Sequence, residues 1–333
     1  MEKQAITIYD VASEAKVSMA TVSRVVNGNP NVKAATRRRV LDVIDRLDYR
    51  PNAVARGLAS KKTTTVGVII PDVTNMFYSS LARGIDDVAS MYKYNIILAN
   101  SDENNQKEVQ VVNTLLAKQV DGLIYMGRSI SDELRSEFSR SKTPVVLAGS
   151  VDPDEQLASV NIDYVAAVKG ATKQLLDAGN KKVALVTGPL TEPLSGKYRL
   201  RGYKQALDEA GIAYDESLVF ETEYSYQAGL AVFKQIQKTG ATAALVSDDE
   251  MAVGVLNAAL DAGVQVPDDF QIISSNNTKL TQMTRPQLTS LDQPLYDIGA
   301  VAMRLLTKLM NKEGIDEITV RLGFDITQRN TTK

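Results

Sequence analysis

The stretch from Ser18 to Asn27 reads Ser-Met-Ala-Thr-Val-Ser-Arg-Val-Val-Asn and decides the fold of the first domain. Ser18 suits a helix N-cap, because its hydroxyl accepts a hydrogen bond from an unpaired amide of the first turn. Val22, Val25 and Val26 recur at i, i+3 and i+4, which predicts one buried face. The opposite, exposed face then carries Met19, Ala20, Thr21 and Arg24. Such a face suits the DNA major groove, where thymine methyl groups take apolar contacts and guanine takes a bidentate Arg.

A first helix is predicted just before this stretch, from Thr7 to Ala15. Thr7 is its N-cap, and Asp10 three residues later completes a weak capping box. The inner stripe of this helix consists of Ile8, Val11, Ala12 and Ala15. Only two residues separate it from Ser18, which leaves room for a tight turn and predicts a helix-turn-helix. The helix pair alone fits either a helix-turn-helix or any two adjacent helices of a helical core. The charge distribution and the rest of the chain decide between these two interpretations.

The charge of the chain is distributed asymmetrically. Residues 1–62 carry twelve Lys and Arg against six Asp and Glu, a net charge of +6. The whole chain carries −2, so the remaining residues carry −8. A basic head on an acidic body is typical of a nucleic-acid-binding domain joined to a separate regulatory domain. The alternative is a head that is basic by chance and merely solvated.

A third, amphipathic helix is predicted from Ala34 to about Leu47. Its apolar residues are Val40, Leu41, Ile44 and Leu47, and its other face carries Arg37, Arg38, Arg39 and Arg46. Such a run of charge is usually a solvated face, but it also suits contacts with DNA phosphates. Pro51 then stops this helix and can begin another as its first residue. The Ala-rich run 51–60 is too short to be stable alone in water, which predicts a helix that forms only when something packs on it.

Strands and helices alternate through the rest of the chain. Strands are predicted at 66–70, 95–99, 122–126, 145–147, 183–187, 219–221, 243–246 and 270–273. Helices are predicted at 77–92, 109–118, 170–176, 199–210, 226–237, 251–262 and 295–311. This alternation predicts parallel sheets with right-handed crossovers. Because the rhythm restarts after Asp163, we expect two α/β lobes with a ligand cleft between them.

The composition argues against an enzyme. Zero Cys excludes thiolate catalysis and Cys-ligated zinc, and zero His removes the commonest general base and metal ligand. Neither a dinucleotide fingerprint nor a P-loop is found. Asp248-Asp249-Glu250 fits paired carboxylates, a cation site or the start of a helix, and the helix start is favoured because no matching ligand cluster accompanies it. We expect no catalytic residue, no metal and no cofactor.

No membrane or secretion signal is recognised. No apolar run reaches the roughly 18 residues that span a bilayer, and no signal sequence opens the chain. The expectation is a cytoplasmic protein associated with the nucleoid, with no membrane partner.

Three motifs make the chain similar to the lactose-repressor/galactose-repressor family of bacterial transcription factors. They are residues 7–12 (Thr-Ile-Tyr-Asp-Val-Ala), residues 18–27, and residues 49–58 (Tyr-Arg-Pro-Asn-Ala-Val-Ala-Arg-Gly-Leu). Residues 60–71 and 296–308 resemble the branch of that family that controls carbon catabolite repression and activation. The resemblance implies an N-terminal all-α helix-turn-helix head with a hinge helix, followed by a two-lobed α/β core with parallel sheets that is similar to periplasmic binding proteins.

The resemblance also implies domain boundaries. Residues 1–50 would be the helix-turn-helix DNA-binding domain, and 51–62 the hinge helix and linker. The N-terminal core subdomain would comprise 63–162 plus 291–326, and the C-terminal core subdomain 163–290.

A homodimer that binds a palindromic operator in double-stranded DNA is the functional expectation that follows from the resemblance. The hinge helix would order on the operator, and Leu58 would wedge into the minor groove and kink the duplex. The residues implied in DNA binding are Thr7, Tyr9, Ser18, Met19, Ala20, Thr21, Ser23, Arg24, Asn31, Tyr49, Asn52, Ala55, Arg56, Leu58 and Ala59.

In the catabolite-repression branch the corepressor is a protein, the phosphocarrier HPr phosphorylated on a serine. By resemblance Arg304 and Lys308, one helical turn apart, would bind the phosphoserine. The surface around them would include Tyr92, Tyr296, Asp297, Ala300, Val301 and Met303. Without the resemblance, Arg304 and Lys308 are simply the solvent face of an amphipathic helix.

Two alternatives remain. The first is a repressor of the same family that responds to a sugar or sugar phosphate bound in the cleft, at Asp72, Phe77, Arg199, Asp249 and Asn276. Asn276 stands where most relatives have Asp, and Asp248 where they often have Asn or Thr. The second alternative is a two-lobed enzyme with an accessory DNA-binding head.

Overall fold

The computed structural model describes residues 6–50 and 62–333 of the chain. The chain divides into two units, residues 1–63 and 64–333, each with its own core. The predicted hinge segment, with Asn52, Ala55, Arg56, Leu58 and Ala59, lies outside the described residues.

The first unit contains the predicted helix-turn-helix. Its helices are α1 (Ile8–Glu14), α2 (Met19–Val26) and α3 (Ala34–Leu47). The Asp10 carboxylate accepts a hydrogen bond from the Thr7 amide at 2.8 Å, and the Ser18 hydroxyl accepts one from the Thr21 amide at 3.2 Å. Both predicted N-caps are therefore confirmed, and they fix the directions in which α1 and α2 begin.

Small β-branched and alanine side chains fill the core of the first unit: Val11, Ala12, Ala15, Val22, Val25, Val40 and Val43. The prediction for α3 was wrong at one position, because Leu41 is 43% exposed and Val43 is buried instead. Positions 40, 43, 44 and 47 follow the i, i+3, i+4, i+7 spacing of a helix face, and Leu41 lies about 100° away from Val40 around the helix.

The second unit contains two sheets, each with six strands. The strands are β1 (Thr65–Ile70), β2 (Asn95–Asn100), β3 (Gly122–Tyr125), β4 (Val145–Ala148), β5 (Ala158–Ile162), β6 (Val183–Thr187), β7 (Val219–Glu221), β8 (Ala243–Val246), β9 (Gln271–Ser275), β10 (Thr289–Asp292), β11 (Thr319–Leu322) and β12 (Asp325–Thr327). The first sheet has the order β11-β5-β4-β3-β1-β2 and the second has β12-β10-β9-β8-β6-β7. Every pairing is parallel except that of β10 with β12.

Helices cover both sheets. They are α4 (Met76–Met91), α5 (Asn105–Ala117), α6 (Asp132–Ser141), α7 (Tyr164–Asp177), α8 (Leu200–Glu209), α9 (Tyr226–Thr239), α10 (Asp249–Asp261), α11 (Leu280–Met283) and α12 (Leu295–Met310). A π-helical segment at Pro193–Arg199 leads into α8, and a 3₁₀ turn lies at Glu216–Leu218. Among the described residues, no helix combines the length and apolar character needed to cross a membrane.

Each sheet with its helices forms one lobe, and the chain passes between the lobes three times. Lobe 1 holds the first sheet with α12, and lobe 2 holds the second sheet. The predicted boundaries differ from this arrangement at two places. Strand β10 extends lobe 2 to Asp292, and β12 returns to lobe 2 after β11 has joined lobe 1. The final residues also lie against lobe 2, where the Thr331 hydroxyl donates to the Ile272 carbonyl oxygen at 2.7 Å.

Two glycines let α4 and α12 pack in close contact in lobe 1. A Cβ atom added at Gly84 would lie 2.0 Å from the carbonyl oxygen of Tyr296, and one added at Gly299 would lie 2.0 Å from that of Leu81. The helix backbones therefore touch directly, and the outer faces of α4 and α12 form one continuous surface.

Candidate functional site

The exposed face of α2 carries most of the predicted base-reading residues. Met19, Ala20 and Arg24 are exposed, and Thr21 is half-buried because its hydroxyl lies 3.0 Å from that of Ser18. Ser23 is also half-buried, and its hydroxyl accepts a hydrogen bond from the side chain of Asn27 at 3.3 Å. The remaining predicted DNA contacts in the head are Thr7, Tyr9 and Asn31, which are exposed, and Tyr49, which is half-buried against the core.

The arginines of α3 divide into two pairs. Arg37 donates to the carbonyl oxygen of Asn29 and so fixes the turn after α2, while Arg46 forms an ion pair with Glu14 of α1. Arg38 and Arg39 are exposed. A phosphate contact is therefore better supported for Arg38 and Arg39 than for Arg37 and Arg46, whose side chains already bind other groups of the head.

The outer faces of α4 and α12 form a second candidate site, here called the α4–α12 surface. Tyr92 is 48% exposed and Tyr296 is 46% exposed. Arg304 and Lys308 are also exposed, one turn apart on α12. Asp297, nearer the start of α12, is also exposed, and Val301 is half-buried. Two cations on one helical turn beside aromatic rings can bind an anionic group on a protein surface.

Two residues predicted for this surface are buried. Ala300 is 3% exposed because it packs towards α4, and Met303 is 0% exposed within the core of lobe 1. Neither side chain is available for direct contact with a partner. Their predicted contact with a corepressor stays a prediction that the burial of both side chains does not support.

Two residues of the α4–α12 surface were missed from the sequence. The Tyr296 hydroxyl donates to the Asp87 carboxylate at 3.1 Å, and Asp87 forms an ion pair with Arg83 at 2.8 Å. The only sequence signal is the i, i+4 spacing of Arg83 and Asp87 on α4. The contact of Asp87 with Tyr296 of α12 forms only when the two helices pack together.

The cleft between the lobes is the third candidate site. Phe77, Arg199 and Asn276 line it, as predicted, together with Asp248. Its cavity volume is about 50 Å³. A second cavity, of about 300 Å³, shares Phe77 and Asp248 with the first and is lined also by Asp249 and Thr278. This second volume is in the range of small ligand pockets.

One residue predicted for the cleft, Asp72, lines neither of these two cavities. Asp72 is exposed in a turn, where its carboxylate accepts hydrogen bonds from the amide and the hydroxyl of Thr74. Asp249 lines the second cavity but is only 1% exposed, and its carboxylate accepts hydrogen bonds from the Thr278 amide at 2.7 Å and the Ser290 hydroxyl at 3.3 Å. Asp248 lines both cavities.

Asp248 is the N-cap of α10, so the helix-start interpretation of this acidic run is confirmed. Its carboxylate accepts hydrogen bonds from the Glu250 and Met251 amides and, at 3.3 Å, from the Asn276 side chain. Asn276 in turn accepts one from Gln293 at 2.8 Å. Gln293 precedes α12 by two residues, so the cleft is connected by hydrogen bonds to the start of the helix that carries Arg304.

Burial changes the acid–base behaviour of these carboxyl groups. Burial, with a smaller contribution from the charge of Asp248, raises the pKa of Asp249 to about 7. Burial also raises the pKa values of Asp248, Glu103 and Glu192 above their ordinary range. Within residues 6–50 and 62–333, no group of three or more acidic, His or Cys side chains is arranged to hold a metal ion.

Two residues that line the smaller cavity, Arg128 and Tyr224, were missed from the sequence. The guanidinium carbon of Arg128 lies 4.2 Å from the centre of the Tyr224 ring. Arg199 donates to the Tyr224 hydroxyl at 2.7 Å, so this cleft arginine already has a partner within the protein. Arg128 and Tyr224 lie in loops of different lobes, far apart in the sequence. No sequence motif therefore links them.

Comparison with known proteins agrees with both parts of the fold. The profile of bacterial regulatory proteins of the lacI family matches residues 7–52, and that of the periplasmic binding protein-like domain matches 172–332. Catabolite control protein A of Streptococcus mutans serotype c is 58% identical over 328 residues, covering 98% of this chain and 98% of that protein. The protein of the same name from Priestia megaterium is 55% identical over 330 residues, covering 98% and 99%.

Solved structures give the same result. The crystal structure of the transcription regulator CcpA of Lactococcus lactis has a TM-score of 0.79 at 52% identity, and the match covers 81% of this chain and 99% of that one. The lac repressor dimer bound to operator and the anti-inducer ONPF has a TM-score of 0.89 at 26% identity, covering 99% of each chain. The chain therefore belongs to the lacI family of bacterial regulatory proteins, as a transcription regulator of the catabolite control protein A type with a DNA-binding domain, and it is not an enzyme.

Proposed function

We propose that the protein regulates carbon catabolite repression and activation by binding a palindromic operator as a homodimer, with serine-phosphorylated HPr as corepressor. The observation that carries this proposal is the exposed pair Arg304 and Lys308 on α12, on the same α4–α12 surface as the exposed Tyr92 and Tyr296. Two solvent-exposed cations about one helical turn apart match a phosphorylated side chain on a folded partner.

DNA binding is assigned to the head. The exposed face of α2, with Met19, Ala20 and Arg24, presents apolar groups and one guanidinium to base edges. Exposed Arg38 and Arg39 would add phosphate contacts, which raise affinity without sequence information. Two heads of a symmetric dimer would read two half-sites of a palindrome. A DNA-bound regulator of this kind works in the cytoplasm, associated with the nucleoid.

The mechanism would be a shift in populations. The corepressor binds one conformation of the core more tightly than the others, and the population of that conformation rises by the difference in affinity. The hydrogen bond from Gln293 to Asn276 supports a connection between α12 and the cleft, because Gln293 lies just before α12 and Asn276 lines the cleft.

The test is fluorescence-anisotropy binding to a palindromic catabolite-response DNA at fixed salt. It compares serine-phosphorylated HPr, unphosphorylated HPr and no HPr, with the wild type and with Arg304→Ala. We expect only the phosphorylated form to tighten binding and Arg304→Ala to lose that tightening. Arg201→Ala removes an exposed arginine of α8 in lobe 2 and is the matched control, which should behave as the wild type.

A repressor that responds to a sugar or sugar phosphate is the second candidate, because buried Arg199 and the ring of Phe77 face the cleft. The same assay separates the two. Specific DNA binding that ignores every form of HPr, but changes with a sugar phosphate, would contradict the corepressor proposal and support the cleft ligand.

A further inference from the structure

Arg128 belongs to lobe 1 by sequence, but its guanidinium contacts lobe 2. It follows β3 and forms an ion pair with Glu103, which follows β2 in the same lobe. Across the cleft it lies 4.2 Å from the centre of the Tyr224 ring and 3.8 Å from the carboxylate of Glu192. One side chain therefore contacts a carboxylate of its own lobe and two groups of the other lobe.

The lobe 2 side of this contact is held rigidly. The Tyr224 hydroxyl accepts a hydrogen bond from Arg199 at 2.7 Å and lies 3.0 Å from the hydroxyl of Ser195. Both partners belong to the π-helical segment that precedes α8, and both are buried. The face of the Tyr224 ring is thus fixed in the position where Arg128 stacks on it.

The surroundings make the contact stronger than an ordinary surface pair. The side chain of Arg128 is 21% exposed and that of Glu192 is 18% exposed. Partly desolvated arginine–aromatic stacking is stronger than the exposed kind, and a planar guanidinium can stack and form ion pairs at the same time. Arg128 and Tyr224 both line the smaller of the two cavities between the lobes.

We propose that Arg128 is a built-in clasp that holds the two lobes closed through Tyr224 and Glu192. The protein's own side chain makes the bridge across the cleft, so closure needs no small molecule. In consequence, the balance between closed and open core is set by the sequence, and a partner bound at the surface of lobe 1 acts on a core that is already closed. Arg128 is a positioning residue, since it acts on the geometry of the lobes.

The test measures lobe closure directly in the full chain. Because the chain has no Cys, Ser136→Cys in α6 of lobe 1 and Lys238→Cys in α9 of lobe 2 give two unique exposed sites for a donor and an acceptor fluorophore. Doubly labelled chain is mixed with an excess of unlabelled chain, so that energy transfer within one chain is measured in single molecules. The variants are Arg128→Met, Tyr224→Leu and Tyr224→Phe.

We expect one dominant transfer efficiency for the unmodified core. Arg128→Met and Tyr224→Leu should each shift the closed-to-open ratio about tenfold towards the open state, the size of a partly desolvated cation–π contact. Tyr224→Phe keeps the ring under the guanidinium and should lose much less closure than Tyr224→Leu. Arg201→Met, an exposed arginine outside the clasp, should leave the distribution unchanged.

The outcomes separate a clasp from a merely structural residue. Arg128→Lys retains the charge but not the stacking plane, so it should fall between wild type and Arg128→Met even if the methionine variant folds poorly. A distribution that is the same in wild type, Arg128→Lys and Tyr224→Leu would overturn the proposal. An equal loss in Tyr224→Phe and Tyr224→Leu would also overturn it, because closure would then depend on the hydroxyl and not on the ring.

Discussion

Single residues of the buried polar layer beneath the cleft set how the core responds to pH. Asp249 accepts hydrogen bonds from Thr278 and Ser290 and lies beside Asp248, with almost no access to water. A carboxyl group in such a place favours its neutral form in the folded protein. It is therefore a group whose proton is bound more tightly in the folded state than in the unfolded state.

We expect the stability of the core to fall as the pH rises from about 4 to about 7. Burial raises the pKa of Asp249 from 3.8 to about 7. The folded state therefore holds more protons than the unfolded state in this window, and stability declines by up to about 1.4 kcal/mol per pH unit for this one group. Asp249→Asn mimics the neutral acid and should reduce the slope. Urea unfolding at a series of pH values measures it.

The same slope in wild type and in Asp249→Asn would contradict this assignment. A residual slope of the same sign is expected in the variant, because burial also raises the pKa values of Glu108, Glu103 and Glu192. The comparison therefore depends on the difference between the two slopes and not on a flat profile.

The cleft residues also show how far the sequence could predict the site. Phe77, Arg199 and Asn276 could be placed in the cleft through the family resemblance, because each occupies a position with a known counterpart. Arg128 and Tyr224 could not, since nothing in their own stretches of sequence marks them and their contact depends on the relative position of two lobes.

At the scale of elements, the longest apolar and strongly capped segments were predictable. Helices α1 and α2 begin where Thr7 and Ser18 predict, and β6, β7 and β8 have the predicted bounds. Strand β5 was missed because its buried positions include the polar residues Ser159 and Asn161. Helix α6 was missed because its buried face contains only Leu134 and Phe138.

The close packing of α4 on α12 is an element-scale feature that depends on glycine. Gly84→Ala should lower the free energy of unfolding by about 1–3 kcal/mol, because the new Cβ meets the backbone oxygen of Tyr296 and the helices must separate. Separation would also move Tyr296 away from Asp87, so binding of serine-phosphorylated HPr should weaken. Urea unfolding and HPr titration measure the two effects.

A matched glycine is available as the control for that variant. Gly170 lies within α7, and a Cβ added there meets nothing within 4 Å. Gly170→Ala should therefore stabilise the protein by roughly 0.5–1 kcal/mol through helix propensity alone. If Gly84→Ala were as stable as Gly170→Ala, direct contact of the α4 and α12 backbones would be refuted.

At the scale of the whole molecule, two units with separate cores predict two unfolding transitions. The core of residues 1–63 is built from small valine and alanine side chains, whereas residues 64–333 contain two sheets with extensive cores. Cooperativity is a property of each core, so calorimetry of the full chain should resolve a small transition and a large one. The two should respond to different substitutions.

Ser18→Ala removes the N-cap of α2, worth about 1 kcal/mol, and should lower only the small transition, by about 4–8 °C. Deletion of residues 330–333 should lower only the large one. Without Thr331, the buried amides of Ile272 and Thr289 lose their hydrogen-bond acceptors, and each unpaired group costs about 1–3 kcal/mol. A single transition that moves with both changes would mean that the head and the core unfold as one unit, and the division into two units would not hold for stability.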